Sequence, residues 1–342
     1  MATTSMNLPL ISICIANYNG AQVLLPCIES VLSQTCAAPV EIIVHDDAST
    51  DNSCELLARS HPDIRVIRST TNVGFCISNN RMARAASGAY LLLLNNDATL
   101  RSGTLQEMLA TATSGFDGVL SAPQYRADTG QLLDRGCRMD WMLMPVPILK
   151  HGTYRAVTVM GACLWIPKLL WEQIGGFPPW IGSVGEDTFL CLSAWHAGPG
   201  VRVIEGGGYN HVVGLSFGGG KIINGKLRTT TRRRFLSERN RLCVMSTFCP
   251  SGLLPLMIVL YIAEGLIEGM IMSIVKRNLR FLHEVTMSSI MSAWGLRRTV
   301  RAERKRMREL FGGFPVLRWI GILTLVPQKL RAVWHNGIPD VR

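Results

Sequence analysis

Leu91-Leu-Leu-Leu-Asn95-Asn96-Asp97 decides how the rest of the chain is read. Four leucines behind Tyr90 leave no polar face, as expected of a strand buried on both sides, and the run stops abruptly in side chains able to bind a cation or a phosphate. In open α/β sheets, ligands collect in the crevice outside the carboxyl ends of the strands, where Asn95 to Asp97 would lie. The same residues make turns well by bonding their own backbone, so this stretch alone leaves a ligand site and a plain turn both open.

Upstream, Leu10-Ile-Ser-Ile-Cys-Ile-Ala16 reads as a strand broken by Asn17-Tyr18-Asn19-Gly20. Val40-Glu-Ile-Ile-Val44 reads as another, ending in His45-Asp46-Asp47-Ala48-Ser49-Thr50-Asp51, and Ile64 to Ile67 as a third. Helical spacing runs from Val23 to Leu32, through Leu56 and Leu57 with Ser49 or Thr50 placed to cap, and, after Asn72-Val-Gly-Phe75, through Asn79, Asn80 and Met82 to a close at Gly88. Strand and helix alternate four times, the signature of a parallel, doubly wound α/β sheet.

Downstream, Phe116 to Pro123 and Val157 to Ile166 predict strands, the latter containing Gly161. Gln124 to Arg155 is a turn-rich excursion of loops or hairpins. Lys168 to Ile174 predicts a helix closed by Gly175-Gly176. Gly185-Glu186-Asp187 opens another that ends at Gly198, which puts two acids in its first turn. Val201 to Ile204 and Gly208 to His211 read as short strands.

The 342 residues carry a formal charge of +11, 48% hydrophobic residues and a mean hydropathy of +0.22. The charge is divided: residues 1–220 hold 13 Lys and Arg against 17 Asp and Glu, and residues 221–342 hold 22 against 7. Beyond Gly218-Gly-Gly220, Arg228 to Arg241 is a basic helical segment, Leu253 to Val275 is apolar with Glu264 and Glu268 in its middle, Arg297 to Arg308 is densely basic, and Phe314 to Val326 is apolar again before Lys329 and Arg331. A charge at mid-bilayer costs about 2.5–3.5 kcal/mol on insertion scales. The apolar piece is therefore expected as an interfacial or re-entrant helix pair broken at Pro250 and Pro255 rather than as a spanning helix. Arginines interleaved with apolar segments suit an anionic membrane surface and not nucleic acid, for which stacking aromatics are few. Ten cysteines without a C-x-x-C pair, several inside apolar runs, point to buried thiols. The N-terminus has no basic region ahead of an apolar run, so no signal peptide is expected there.

Taken in order, Asn17-Tyr-Asn, His45-Asp-Asp-Ala-Ser-Thr-Asp51, Asn72-Val-Gly-Phe, Asn95-Asn-Asp97, Gly161-Ala, Gly175-Gly-Phe177, Gly185-Glu-Asp187 and His211 closely resemble the family 2 glycosyltransferases of the GT-A fold, particularly the rhamnosyltransferase-like branch. The resemblance covers residues 10 to about 215 by motif, and Ser237-Glu-Arg-Asn-Arg-Leu242 extends it into the tail. It implies a GT-A domain over residues 1–220 followed by a basic, apolar, helical membrane-associated region over 221–342. It further implies an inverting transfer from a UDP- or dTDP-sugar, assisted by Mg²⁺ or Mn²⁺, to a lipid-linked or envelope glycan, at the cytoplasmic face of the membrane.

By the same resemblance, Asp97 is the metal-binding acid of a D-x-D motif whose first position is here Asn95, with Asn96 between them, and His211 is a further metal ligand. Asp47 and Asp46 face the base and ribose, Tyr18 lies beside the base with Asn17 nearby, and Asn72 and Asn80 stand beside the donor. Asp187 is the general base and Glu186 supports it or binds the acceptor. Blander uses remain open: a structural histidine at 211, a helix cap at Asp46-Asp47, a favourable helix dipole at Glu186-Asp187. A non-catalytic nucleotide-sugar or glycan-binding module of the same fold is the alternative function.

Overall fold

The structure is a computed structural model that describes residues 10–152, 155–212, 214, 221–223, 226–324, 327–329 and 340–341. Gly218 to Gly220, Val326 and Arg331 lie outside them.

The first half alternates as its hydrophobic periods dictate: β1 (Ile11–Asn17), α1 (Leu24–Leu32), β2 (Val40–Asp46), α2 (Ser53–Ser60), β3 (Arg65–Arg68), α3 (Phe75–Ala85) and β4 (Tyr90–Asn95). There follow β5 (Ala98–Leu100), α4 (Thr104–Thr113), β6 (Val119–Ser121), β7 (Gln124–Arg126), β8 (Leu132–Asp134), β9 (Cys137–Asp140), β10 (Pro145–Pro147), β11 (Cys163–Pro167), α5 (Lys168–Ile174), α6 (Glu186–Ala197), β12 (Val201–Val203) and β13 (Tyr209–His211). Seven strands make the main sheet in the order β12-β6-β11-β4-β1-β2-β3. Its pairs are parallel except those of β11, which runs antiparallel between β4 and β6.

The leucine strand sits in the middle of this sheet. Leu91 and Leu93 pack into one hydrophobic cluster, Leu92 and Leu94 into the other, and none is more than 2% exposed. At about 1.5–3 kcal/mol for each fully buried leucine, the strand is strongly fixed in this register, since a one-residue slip would exchange its two faces.

Several boundaries differ from the sequence expectation. Gly161 is not inside a strand: β11 begins at Cys163, leaving Gly161 in the turn ahead of it. Ser49 and Thr50 do not cap α2, whose flanking residue is Asn52; Ser49 is drawn instead toward Asn17 and Asn19. The excursion after Gln124 forms short strands, and β5, β13, β7 and β8 make a second sheet in that order.

The tail carries α7 (Thr231–Phe248), α8 (Leu254–Lys276), a π-helical turn (Leu282–Met287) running into α9 (Ser288–Gly295), then α10 (Arg297–Phe311) and α11 (Val316–Ile322). The expected helix pair is one continuous helix, α8. Pro255 lies in its first turn, where a missing N–H costs nothing, and Pro250 precedes it, its carbonyl accepting from the Leu253 and Leu254 amides. Leu242, Val244, Met245 and Phe248 of α7, with Trp319 and Ile322 of α11, belong to the same hydrophobic cluster as Leu91 and Leu93.

Glu264 and Glu268 of α8 are paired with the cations of the tail itself. Lys329 Nζ lies 3.1 Å from Glu264 and 2.7 Å from Glu268, and Arg234 also binds Glu268. Buried Glu238 completes the network with Arg241 at 2.5 Å, Lys329 at 3.3 Å and the Tyr261 hydroxyl at 2.9 Å. Burial raises the Glu238 pKa, but Arg241, Lys329 and Arg234 outweigh it and hold the carboxyl well below its usual range.

Candidate active site

The carboxyl ends of β1, β2 and β4 meet through Asn17. Its Nδ2 donates to Asp46 Oδ1 at 3.1 Å and to the Ser53 hydroxyl at 3.0 Å, and its Oδ1 accepts from Asn96 Nδ2 at 3.0 Å. Gly20 is required beside this junction, because a Cβ there would stand 2.2 Å from Asn17 Oδ1 and 2.4 Å from Asn96 Nδ2. Asn17 is thus a buried clamp between strand ends, while Tyr18 next to it is 52% exposed and free to stack on a planar ring. Asp46 and Asp47 do not cap α2. Burial raises the Asp46 pKa, but hydrogen bonds from Ser49, Cys54 and Asn17 outweigh it and hold the net value low. Asp47 grips the following loop, accepting from the Val73 amide at 2.6 Å and the Gly74 amide at 2.8 Å.

Asn72 is exposed at the head of that loop, one residue before the amides Asp47 holds. Asn80 is turned elsewhere, both ends of its amide being used on Phe177, whose carbonyl accepts at 2.7 Å and whose N–H donates at 2.9 Å. Sequence reasoning missed Asp51, which accepts from the Ala21 amide at 2.9 Å and the Ser53 amide at 3.1 Å and so ties the segment after Tyr18 to β2. Its place among Ser, Thr and Asn residues reads equally well as an ordinary turn.

Asn96 and Asp97 do form a turn, between β4 and β5. That turn carries Asp97 to His211, because β13 pairs with β5 in the register that sets His211 opposite Ala98, and the Val212 amide donates to the Asp97 carbonyl at 3.0 Å. His211 Nε2 stands 3.2 Å from buried Asp97 Oδ1, in contact but without hydrogen-bond geometry. Two ligands of an octahedral cation at about 2.1 Å are about 3 Å apart, so this spacing fits a shared divalent ion. Gln124 Nε2 lies 2.8 Å from His211 Nδ1. Turned over, the amide would accept Nδ1–H and leave Nε2 as a lone-pair donor. Asn95 Oδ1 is buried without a hydrogen-bond partner among the described residues. No group of three His, Cys, Asp or Glu suited to a metal occurs among the described residues.

Glu186 and Asp187 open α6, and the turn at Gly161-Ala162 connects them to β4. The Gly161 amide donates to Asp187 Oδ2 at 3.3 Å, and the Ala162 carbonyl accepts from the Asn95 amide at 2.9 Å. Asp187 Oδ1 also accepts from the Thr188 amide at 2.6 Å. Burial, then the charge of Asp187, pushes the Glu186 pKa up to about 8. Burial raises that of Asp187 as well, against hydrogen bonds from Thr188 and Gly161 and the charge of Arg233. Glu186 Oε2 has no hydrogen-bond partner among the described residues. Both carboxyls are thus pushed toward their protonated forms, Glu186 with an unpartnered Oε2 and Asp187 partly exposed and held by two backbone amides.

The chain matches the family model "Glycosyl transferase family 2" over residues 12–166 and "Glycosyl transferase family group 2" over residues 90–335. It is 33% identical over 121 residues to an uncharacterized glycosyltransferase, YibD, of Escherichia coli K12, covering 34% of each chain. It is also 33% identical over 105 residues to the succinoglycan biosynthesis protein ExoO of Rhizobium meliloti, covering 30% of each. These alignments span about a third of each relative's length. Among solved structures, GalNAc-T7 with UDP, GalNAc and Mn²⁺ superposes with a TM-score of 0.56 at 18% identity, over 71% of this chain and 49% of that one. At that identity the likeness establishes the fold, which is GT-A.

Proposed function

Because the chain belongs to glycosyl transferase family group 2 and is a glycosyltransferase, we propose that it is an inverting enzyme of the rhamnosyltransferase-like kind. It moves a sugar from a UDP- or dTDP-linked donor to a hydroxyl of a lipid-linked or envelope glycan. The observation that carries this reading is the adjacency of Gly161 and Ala162, one bonded to Asp187 and the other to Asn95, which ties the base to the metal-binding strand end. Tyr18 stacks on the base, Asp46 and Asp47 line the nucleoside side, and Asn72 stands at its edge. Asp187 takes the proton of the acceptor hydroxyl as that oxygen bonds to the anomeric carbon, and the bond from that carbon to the diphosphate breaks with its electrons leaving on the nucleotide. Neutral Glu186 keeps a second negative charge away from the base and offers a hydrogen to the acceptor. Asp97 and His211 are the residues that would hold Mg²⁺ or Mn²⁺, whose chemistry when bound is to stabilise the charge on the departing diphosphate.

Nucleotide and Mn²⁺ are what the GalNAc-T7 structure holds, and the succinoglycan biosynthesis protein is named for a polysaccharide; both support the donor and acceptor classes proposed here. Thermal stabilisation by a panel of UDP-, dTDP- and GDP-sugars, with and without Mn²⁺ or Mg²⁺, tests the reading. A UDP- or dTDP-sugar is expected to stabilise most, and more with metal. No stabilisation by any member would overturn it.

The same proposal places the tail on the cytoplasmic face of the membrane. Among the described residues, α8 is the one helix long and apolar enough to cross a bilayer. Its acids are paired with Lys329 and Arg234, while Leu256, Val259, Ile267, Met270 and Ile274 are exposed. Trp294 of α9 and Leu317 of α11 add exposed apolar surface, and α10 contributes the arginines of its basic run. A helix with one wet apolar face and its charges turned to protein supports lying on an anionic surface.

A further inference from the structure

The Arg239-Asn240 pair in the Ser237-Glu-Arg-Asn-Arg-Leu242 segment is not accounted for by the site described above. Asn240 is fully buried on α7, and its Nδ2 faces the carbonyls of Ile181 at 3.0 Å, Ser183 at 3.0 Å and Val184 at 2.8 Å. Arg239 Nη2 donates to the carbonyls of Trp180 at 3.1 Å and Ile181 at 2.9 Å, and its Nε holds Asn240 Oδ1 at 2.8 Å, which fixes the amide's orientation. These carbonyls belong to the loop that ends at Glu186 and Asp187. The loop needs holding: Gly182, Val184 and Gly185 all have positive φ, at 72°, 68° and 102°. For β-branched Val184 that is a rare and unfavourable conformation. The loop also reaches the donor side, since the Gly182 carbonyl accepts from the Cys76 amide at the start of α3. Arg233, seven residues before Asn240 and therefore on the same face of α7, is the cation that acts on both acids of the pair.

We propose that Arg239 and Asn240 are positioning residues for the base: by holding the carbonyls of residues 180–184, α7 keeps the loop in its left-handed turn and aims Asp187 at the acceptor. The catalytic acids then depend on a helix of the tail, whether or not the tail touches lipid. This rests on the reading of Asp187 as base.

The test uses the full chain with Asn240→Asp, which keeps the shape but removes the Nδ2 donors, Asn240→Ala, and Arg239→Lys as the milder variant. Release of nucleoside diphosphate is followed with whichever of UDP-glucose, UDP-galactose, UDP-N-acetylglucosamine or dTDP-rhamnose the wild type hydrolyses. Hydrogen exchange is followed in parallel over 180–188 and over β1. Expected is a fall in kcat of about 100-fold for the Asn240 variants, smaller for Arg239→Lys, with KM for the donor unchanged. Faster exchange is expected over 180–188, with β1 as protected as in the wild type. A wild-type kcat in these variants overturns the proposal, as does loss of protection throughout the chain with kcat and KM changing together. If the wild type turns over no donor, the proposed activity fails, and exchange confined to 180–188 still decides whether the pair holds the loop.

Discussion

His211 Nε2 lies 3.2 Å from Asp97 Oδ1, and Gln124 lies on the far side of the imidazole, 2.8 Å from Nδ1. The strand order β5-β13-β7 makes this row: the middle strand supplies the histidine, one neighbour follows directly from Asp97, and the other supplies the glutamine. If the row binds metal, Gln124→Ala should weaken Mn²⁺ by about 10–100-fold through the lost orientation of the imidazole, and His211→Ala by at least as much. Calorimetric titration of Mn²⁺ in the presence of UDP measures both. Wild-type affinity in His211→Ala would remove it from the metal site.

Asp187→Asn keeps the hydrogen-bonding shape and removes the carboxylate proposed as the base. Transfer should fall about 10²–10⁴-fold, while stabilisation by the nucleotide persists. Turnover at the wild-type rate would sink the assignment.

Burial, and then the charge of Asp187, push the Glu186 pKa up from the ordinary 4.5 to about 8. A carboxyl with a raised folded pKa leaves stability untouched below the unfolded value and costs stability as pH rises toward the folded one. Glu186→Gln should therefore raise Tm little near pH 4.5 and increasingly up to about pH 8, where the gain levels off. A Tm difference that is flat with pH would contradict the burial of a protonated Glu186.

Lys329 sits among three carboxylates, those of Glu238, Glu264 and Glu268. Lys329→Met leaves that cluster one cation short and should cost about 1–3 kcal/mol, less than the penalty for a fully buried pair because Lys329, Glu264 and Glu268 are partly exposed. Urea unfolding checks it; an unchanged midpoint would mean that the remaining arginines suffice.

Ile274 is 76% exposed and Leu317 86% exposed. Ile274→Glu and Leu317→Glu should each weaken pelleting with vesicles containing phosphatidylglycerol by about tenfold, roughly the transfer free energy of one aliphatic side chain. Partition equal to wild type in the double variant would refute membrane docking by this face.

The sequence by itself determined the alternation of strands and helices, the central place of Leu91 to Leu94, and the polar clusters that close each strand. These are local consequences of hydrophobic period and of Gly and Asn at chain reversals. It did not determine which polar groups are spent on structure. Asn80 and Asn17 read as residues beside the donor; in the fold the partly buried Asn80 spends both ends of its amide on Phe177, and the buried Asn17, whose amide must satisfy both of its ends, joins three strand ends. Nor could the spacing between Asp97 and His211 reveal their contact, which arises from strand register in a second sheet assembled from distant segments. The helix α8, read in sequence as a pair broken at Pro250 and Pro255 and as costly to bury because of Glu264 and Glu268, is continuous, and its two acids meet Lys329 and Arg234 arriving from elsewhere in the tail. Composition gives the cost of a buried charge, but only the tertiary structure supplies its partner.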